Sequence, residues 1–197
     1  MDRTEIVRLT EEYGGDWEVQ HARRLLKLIS IIGEGLEYNA DVMWVAAHLH
    51  DWGACPKWVR AGITHSERSV QLARQYLKKA KCPPELLPKI IEAIRFHHGG
   101  SDKSSVEAVL LCDADALDGL GVIGILREFA MIPAELEGEY CTPASMGFRT
   151  AYERVRIRME NNPALLQLEK SRELARIRVA QMKALLTTLE EETFGYF

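Results

Sequence analysis

Apolar residues recur along the chain at intervals of three and four, and the runs break at glycine and proline. This periodicity predicts helices near 17–33, 40–51, 65–80, 84–98, 104–119, 121–131, 144–161 and 164–190. No segment sustains the alternation of a half-buried strand, so the predicted class is all-α. Gly33 and Gly35, Gly53 to Pro56, Pro83-Pro84, Gly99-Gly100, Pro133 and Pro163 supply the punctuation. Asn39 and Thr64 read as N-caps, and Pro84 suits the first turn of the helix that follows it. No repeat or linker interrupts the pattern. The expectation is therefore a single domain over 1–197, with a core near 16–130 and the helices of 144–190 packed on it. The last helix carries an apolar stripe (Leu168, Leu174, Ile177, Met182, Leu185, Leu189) that would cover either the core or a second subunit. A homodimer is left open on that account.

Composition narrows the class. A chain of 197 residues with 47% hydrophobic content can bury a sizeable core. No apolar run reaches the roughly 18 to 20 residues that span a bilayer. The first residues, MDRTEIVRLTEEYGGDW, lack the apolar centre of a signal peptide. A cytoplasmic protein with no membrane partner is expected. The net charge of −4 argues against an extended nucleic-acid surface. Cys55, Cys82, Cys112 and Cys141 form no C-x-x-C pair, so neither a thiolate zinc site nor a disulfide framework is expected.

The candidate chemistry lies where polar residues interrupt apolar helices. His50-Asp51 closes VMWVAAHLHDW, and Asp115 sits within VLLCDADALDGLGVIGI. Burying such groups costs several kcal/mol unless they are paired or bound to a cation. A divalent metal shared by histidine and aspartate would remove that cost. On a helix of 3.6 residues per turn, Asp115 and Asp118 fall near one face, whereas Asp113 points about 200° from Asp115. Because that helix is apolar nearly all round, periodicity leaves the choice between Asp113 and Asp115 open. Nitrogen and oxygen ligands without thiolate suit Mn, Fe, Co, Ni or Zn, with Mg as a further candidate. No P-loop, G-x-G-x-x-G or G-x-S-x-G motif is present.

A histidine, a His-Asp pair about thirty residues later, and an aspartate in an A-D-x-L context resemble the HD-domain metal-dependent phosphohydrolase superfamily. HARRLL, AAHLHDWG, THSERS, IIEAIRFHH and CDADALDGLGVIGILREF each resemble a segment of that pattern, most closely in its small single-domain members. The resemblance implies a helical bundle with a metal between helices, held by His21, His50, Asp51 and Asp115. It further implies a role for His65, His97 and His98 in holding a second metal or a substrate phosphate. Asp51, His65 and Glu67 are the implied catalytic groups. Many relatives carry a glutamate immediately after the histidine of the second segment, where this chain has Ser66 and, one place on, Glu67. Lys57, Arg60 and Arg68 are candidates for phosphate contact, against the plainer reading of solvated surface charges.

The implied function is metal-dependent hydrolysis of a phosphate ester or anhydride in a small phosphorylated substrate, a nucleotide in particular. Two alternatives stand beside it. The set His21, His50, Asp51, His65, His97 and Asp115 matches a di-iron oxygenase, and a non-catalytic module that binds nucleotides would need the same pocket.

Overall fold

In the computed structural model, which describes residues 1–99, 105–135 and 144–196, the chain is all-α. Eight α-helices occur among the described residues, and no strand does. They are α1 (Arg3–Ile32), α2 (Ala40–Leu49), α3 (His65–Lys79), α4 (Leu87–Arg95), α5 (Val106–Asp118), α6 (Gly121–Glu135), α7 (Ala144–Leu165) and α8 (Glu169–Glu192). A single 3-10 turn, Trp52–Ala54, follows α2. Cys141 falls outside the described residues, as do Gly100 and residue 104 at the expected start of the fifth helix. No helix of the described residues is long and apolar enough to cross a membrane.

The chain divides into two compact units, Met1–Asp115 and Ala116–Phe197. In the first, α2 is buried on almost every side, through Val42, Met43, Val45, Ala46, Ala47 and Leu49. A helix apolar all round belongs at the centre of its unit. Around it pack α1 and α4, and α3 lies on α4 and on the 3-10 turn. Leu110 and Leu111 of α5 are fully buried. The Glu107 carboxylate of α5 accepts a hydrogen bond from the Asn39 backbone N–H (3.1 Å), which ties α5 to the start of α2. Asn39 also caps α2, accepting from Asp41 and Val42 N–H groups. In the second unit α6, α7 and α8 pack together over Ile125, Ala151, Val155, Ala175 and Met182. Buried Glu128 there pairs with Arg158 at 2.6 Å.

Three boundaries differ from those expected. The helix expected near 17 is preceded by a further helical stretch that starts at Arg3. Ile6 and Thr10, one turn apart, bury one side of a segment whose charged residues hid the stripe, and Asp2 caps it. The non-helical backbone at Gly15 interrupts the path between that stretch and the helical stretch that carries His21. Second, α4 begins at Leu87 with Pro88 in its first turn, and Pro83-Pro84 form a preceding turn closed by Leu86 N–H to Pro83 C=O (3.0 Å). Third, α7 continues through Pro163 to Leu165, and α8 begins at Glu169 rather than near 164.

Gly15 has φ 76° and ψ −178°, a conformation nearly confined to glycine. We expect Gly15→Ala to lower unfolding stability by about 1–2 kcal/mol. Chemical denaturation of the two proteins would measure the difference.

Candidate metal centre

The first unit delivers seven titratable side chains to one place. His21 comes from the second half of α1 and is fully buried. His50 ends α2, and at Asp51 the backbone leaves the helix (φ −106°, ψ 9°) to enter the 3-10 turn. That turn is fixed from several sides. Trp52 Nε1 donates to Thr10 Oγ1 (3.0 Å), and its indole meets Tyr13 and Tyr76 edge-on. Gly53 N–H donates to Ser69 Oγ (2.8 Å) of α3. A Cβ at Gly53 would strike the His65 carbonyl and the Ser69 nitrogen, so only glycine lets the turn lie so close to α3. This close approach sets Asp51 beside His65. Thr64 caps α3 in a reciprocal capping box with Glu67. His97 and His98 follow α4 in a turn closed by Gly99, whose φ is +84°.

These side chains form two triads of potential ligand atoms. One is His21, His50 and Asp51; the other is His65, His97 and His98. In the first, His21 Nε2 and His50 Nε2 lie 3.3 Å apart. In the second, His65 Nε2 and His98 Nε2 are 2.7 Å apart. Two ring nitrogens at these separations need a proton or a cation between them. Asp51 faces both triads, with Oδ2 3.5 Å from His50 Nε2 and Oδ1 3.6 Å from His97 and 3.8 Å from His65. Asp115 does likewise, with Oδ1 3.3 Å from His21 and 3.9 Å from His50, and Oδ2 3.6 Å from His98 Nδ1. The floor is dry, since His21, His50 and His97 are at most 1% exposed, while His65 and His98 form an open rim.

Two observations fit a metal ion to this set. His50 Nδ1 lies 3.0 Å from the Ala47 carbonyl and His97 Nδ1 lies 2.6 Å from that of Ile94. A carbonyl only accepts, so each Nδ1 carries the proton and each Nε2 presents its lone pair to the centre. Asp51 Oδ1 and His97 Nε2 are buried without a hydrogen-bond partner. Such orphaned atoms are costly unless a cation meets them. Burial pushes the His50 imidazole down to about 4, against the pull of Asp51 and Asp115, so it is neutral near pH 7. Burial alone would raise the Asp51 carboxyl, but His50 and His97 hold it well below the usual range. Asp115 is lowered too, because His21 and His50 outweigh its burial. Burial lowers His97, and the neighbouring Asp51 carboxylate more than restores it, so its pKa ends raised.

Each histidine named from the sequence, together with Asp51 and Asp115, thus stands in the cluster. His48 is elsewhere, stacked on Trp44 with Nδ1 2.8 Å from the Trp44 carbonyl. Glu67 lines the cleft beside His65 and is bonded to a helix cap. Its carboxylate accepts from Thr64 N–H (3.2 Å) and Thr64 Oγ1 (3.1 Å), which ties it to the cap of α3. Glu67→Ala is therefore expected to cost about 1 kcal/mol of stability. Metal content should stay at the wild-type level, as elemental analysis would show. Lys57 pairs with Glu12 at 3.2 Å. Arg68 is buried, bonded to the Trp58 carbonyl and to Gln71, and Arg60 is exposed. None of the three lines the opening beside the rim, an open cleft of about 970 Å³ between α3 and the end of α4. Arg74 and Arg95 do line it, and the sequence pattern had not singled them out. The available signal was Arg95, two residues before His97 in IRFHH.

The fold and the clustered ligands define an HD domain, and the family model for that domain matches residues 19–120, just over half of the chain, which therefore belongs to this family. The protein YpgQ of Bacillus subtilis is 28% identical over 193 residues, covering 95% of this chain and 89% of YpgQ. A crystal structure of YpgQ in complex with ADP superposes with a TM-score of 0.67 at 22% identity, covering 98% of this chain and 96% of that one. An HD superfamily hydrolase from an uncultured Thermotogales bacterium gives 0.65 at 21% identity, covering 96% and 91% of the two chains. Ribonuclease Y of Streptococcus sanguinis is 33% identical over 99 residues, half of this chain but only 17% of that protein.

Proposed function

We propose that this protein is a metal-dependent phosphohydrolase acting on a nucleotide or another small phosphate ester or anhydride. The observation that carries the reading is the pair of neighbouring triads, His21-His50-Asp51 and His65-His97-His98, with oxygens of Asp51 and Asp115 near histidines of both. His21, His50, Asp51 and Asp115 would hold one ion, and His65, His97 and His98 would hold a second or meet the phosphate. Divalent ions there would lower the pKa of water and polarise a phosphoryl oxygen.

The protein's own part is positioning. The Ala47 and Ile94 carbonyls fix the ring orientation of His50 and His97, so little reorganisation is needed on binding. With cations bound, the dry floor would strengthen their attraction to an anionic ligand, and the open rim gives it a route in. His65 and His98, half-exposed at that rim, are placed to hydrogen-bond a bound phosphate. The ADP bound to YpgQ supports a nucleotide-type ligand.

The test is a phosphate-release screen over nucleotides and sugar phosphates, with Mn, Co, Mg, Ni and Fe supplied in turn. Turnover that requires an added metal is expected. Nucleotide binding without turnover under every metal would instead make this a binding module. Bound iron with oxygen consumption would make it an oxygenase.

A further inference from the structure

The cleft beside the triads holds more positive charge than the triads account for. It is lined from α3 by His65, Glu67, Gln71 and Arg74, and from the end of α4 by Arg95 and His98. Neither the Arg74 nor the Arg95 guanidinium has a hydrogen bond or ion pair with another described residue. Several surface arginines of this chain are paired instead. Arg8 is held between Glu5 and Glu12, and Arg172 and Arg176 both reach Glu169. The carboxylate in the cleft, Glu67, is bonded to the cap of α3 and pairs with neither arginine, so the two guanidinium charges exceed its single negative charge. In a protein of net charge −4, two unpaired guanidinium groups in one cleft form a local positive field.

Their spacing is directional. Glu67, Gln71 and Arg74 lie on one stripe of α3, so the cleft follows that helix away from the cluster. Arg74 stands nine residues beyond His65, about 13 Å along the axis at 1.5 Å per residue. Arg95 lies three residues before His98, beside the rim. A ligand with one phosphate at the triads therefore meets cations again on its way out.

We propose that Arg74 and Arg95 form a second anion subsite, which binds a phosphate group of the substrate other than the one at the triads. The substrate class is then a molecule with at least two phosphate groups, not a simple monoester. Guanidinium suits this task, because its fork donates two parallel hydrogen bonds to phosphate oxygens. The proposal rests on the phosphohydrolase reading only for the occupant of the triads.

Calorimetric binding of AMP and of the α,β-methylene analogues of ADP and ATP, to the wild type and to R74A/R95A, tests it. Binding rather than turnover is read, so the absence of hydrolytic activity would defeat the phosphohydrolase reading and leave this measurement intact. In the wild type, affinity should rise at least about tenfold from AMP to the longer analogues, as one charge-assisted contact supplies. In R74A/R95A that ratio should collapse towards unity, and R74K/R95K, which keeps the charge but not the fork, should retain part of it. Both residues are exposed, so these variants should fold, and a wild-type melting curve would verify that. A flat series in the wild type, or an unchanged ratio in R74A/R95A, overturns the subsite.

Discussion

Replacing Asp51 by alanine is expected to empty both triads at once. Its two carboxylate oxygens face different groups of histidines, His50 on one side and His65 and His97 on the other. Truncation removes a negative charge from the midst of five imidazoles, and each of the two groups loses an oxygen donor. Loss of an indirect partner of a metal ligand already costs about 10- to 100-fold in affinity, and loss of a shared donor should exceed that. His65→Ala provides the contrast. His65 stands in one triad only and at its exposed rim, so that variant should keep the ion proposed at His21, His50, Asp51 and Asp115. Elemental analysis of the purified proteins separates the cases. An Asp51→Ala protein with its full complement of metal would contradict the assignment.

The three aspartates of α5 should part company in the same measurement. Asp115 has an oxygen 3.3 Å from His21 and the other 3.6 Å from His98. Asp115→Asn keeps the shape but turns one oxygen into an N–H donor aimed at ring nitrogens, so metal and activity should be lost together, by more than about 100-fold. Asp113 is fully buried. Removing its charge should act on folding, at about 1–3 kcal/mol, with metal content unchanged. Asp118 lies in the second unit, where its charge acts on Arg178, so Asp118→Asn should likewise lower the melting temperature and leave the metal in place. Metal retained in Asp115→Asn but lost in Asp113→Asn would mean that the functional carboxylate lies two residues earlier.

Most of the helical framework was readable because its signals are local. The caps at Asn39 and Thr64 depend on side chains within three residues of the helix start, and the structure bears both out. The helix before Gly15 was not readable, because Ile6 and Thr10 are buried by partners remote in sequence while arginine and glutamate dominate the segment. The choice between Asp113 and Asp115 could not come from periodicity. A helix buried on nearly every side has no polar face to fix its register, and family resemblance had to point to Asp115. The triads themselves illustrate a third kind of limit. Histidine content and order suggested a metal, yet the bridging stance of Asp51 depends on Gly53 letting a turn lie against α3. Glu67 shows the converse. Its sequence position beside His65 suggested chemistry, and its reciprocal bonds with Thr64 assign it to the cap.

The order in which the cluster's members occur along the chain has a kinetic meaning. His21 and Asp115 come from near opposite ends of the first unit, and the Asp115 carboxylate faces histidines that precede and follow α2, α3 and α4. Contacts that close such long loops pay their entropy before they return any stabilisation. The ligand set can therefore be complete only once α1 and α5 have met. Metal uptake by the full set would report that meeting, since a chain lacking α5 would keep every histidine of the cluster but not Asp115.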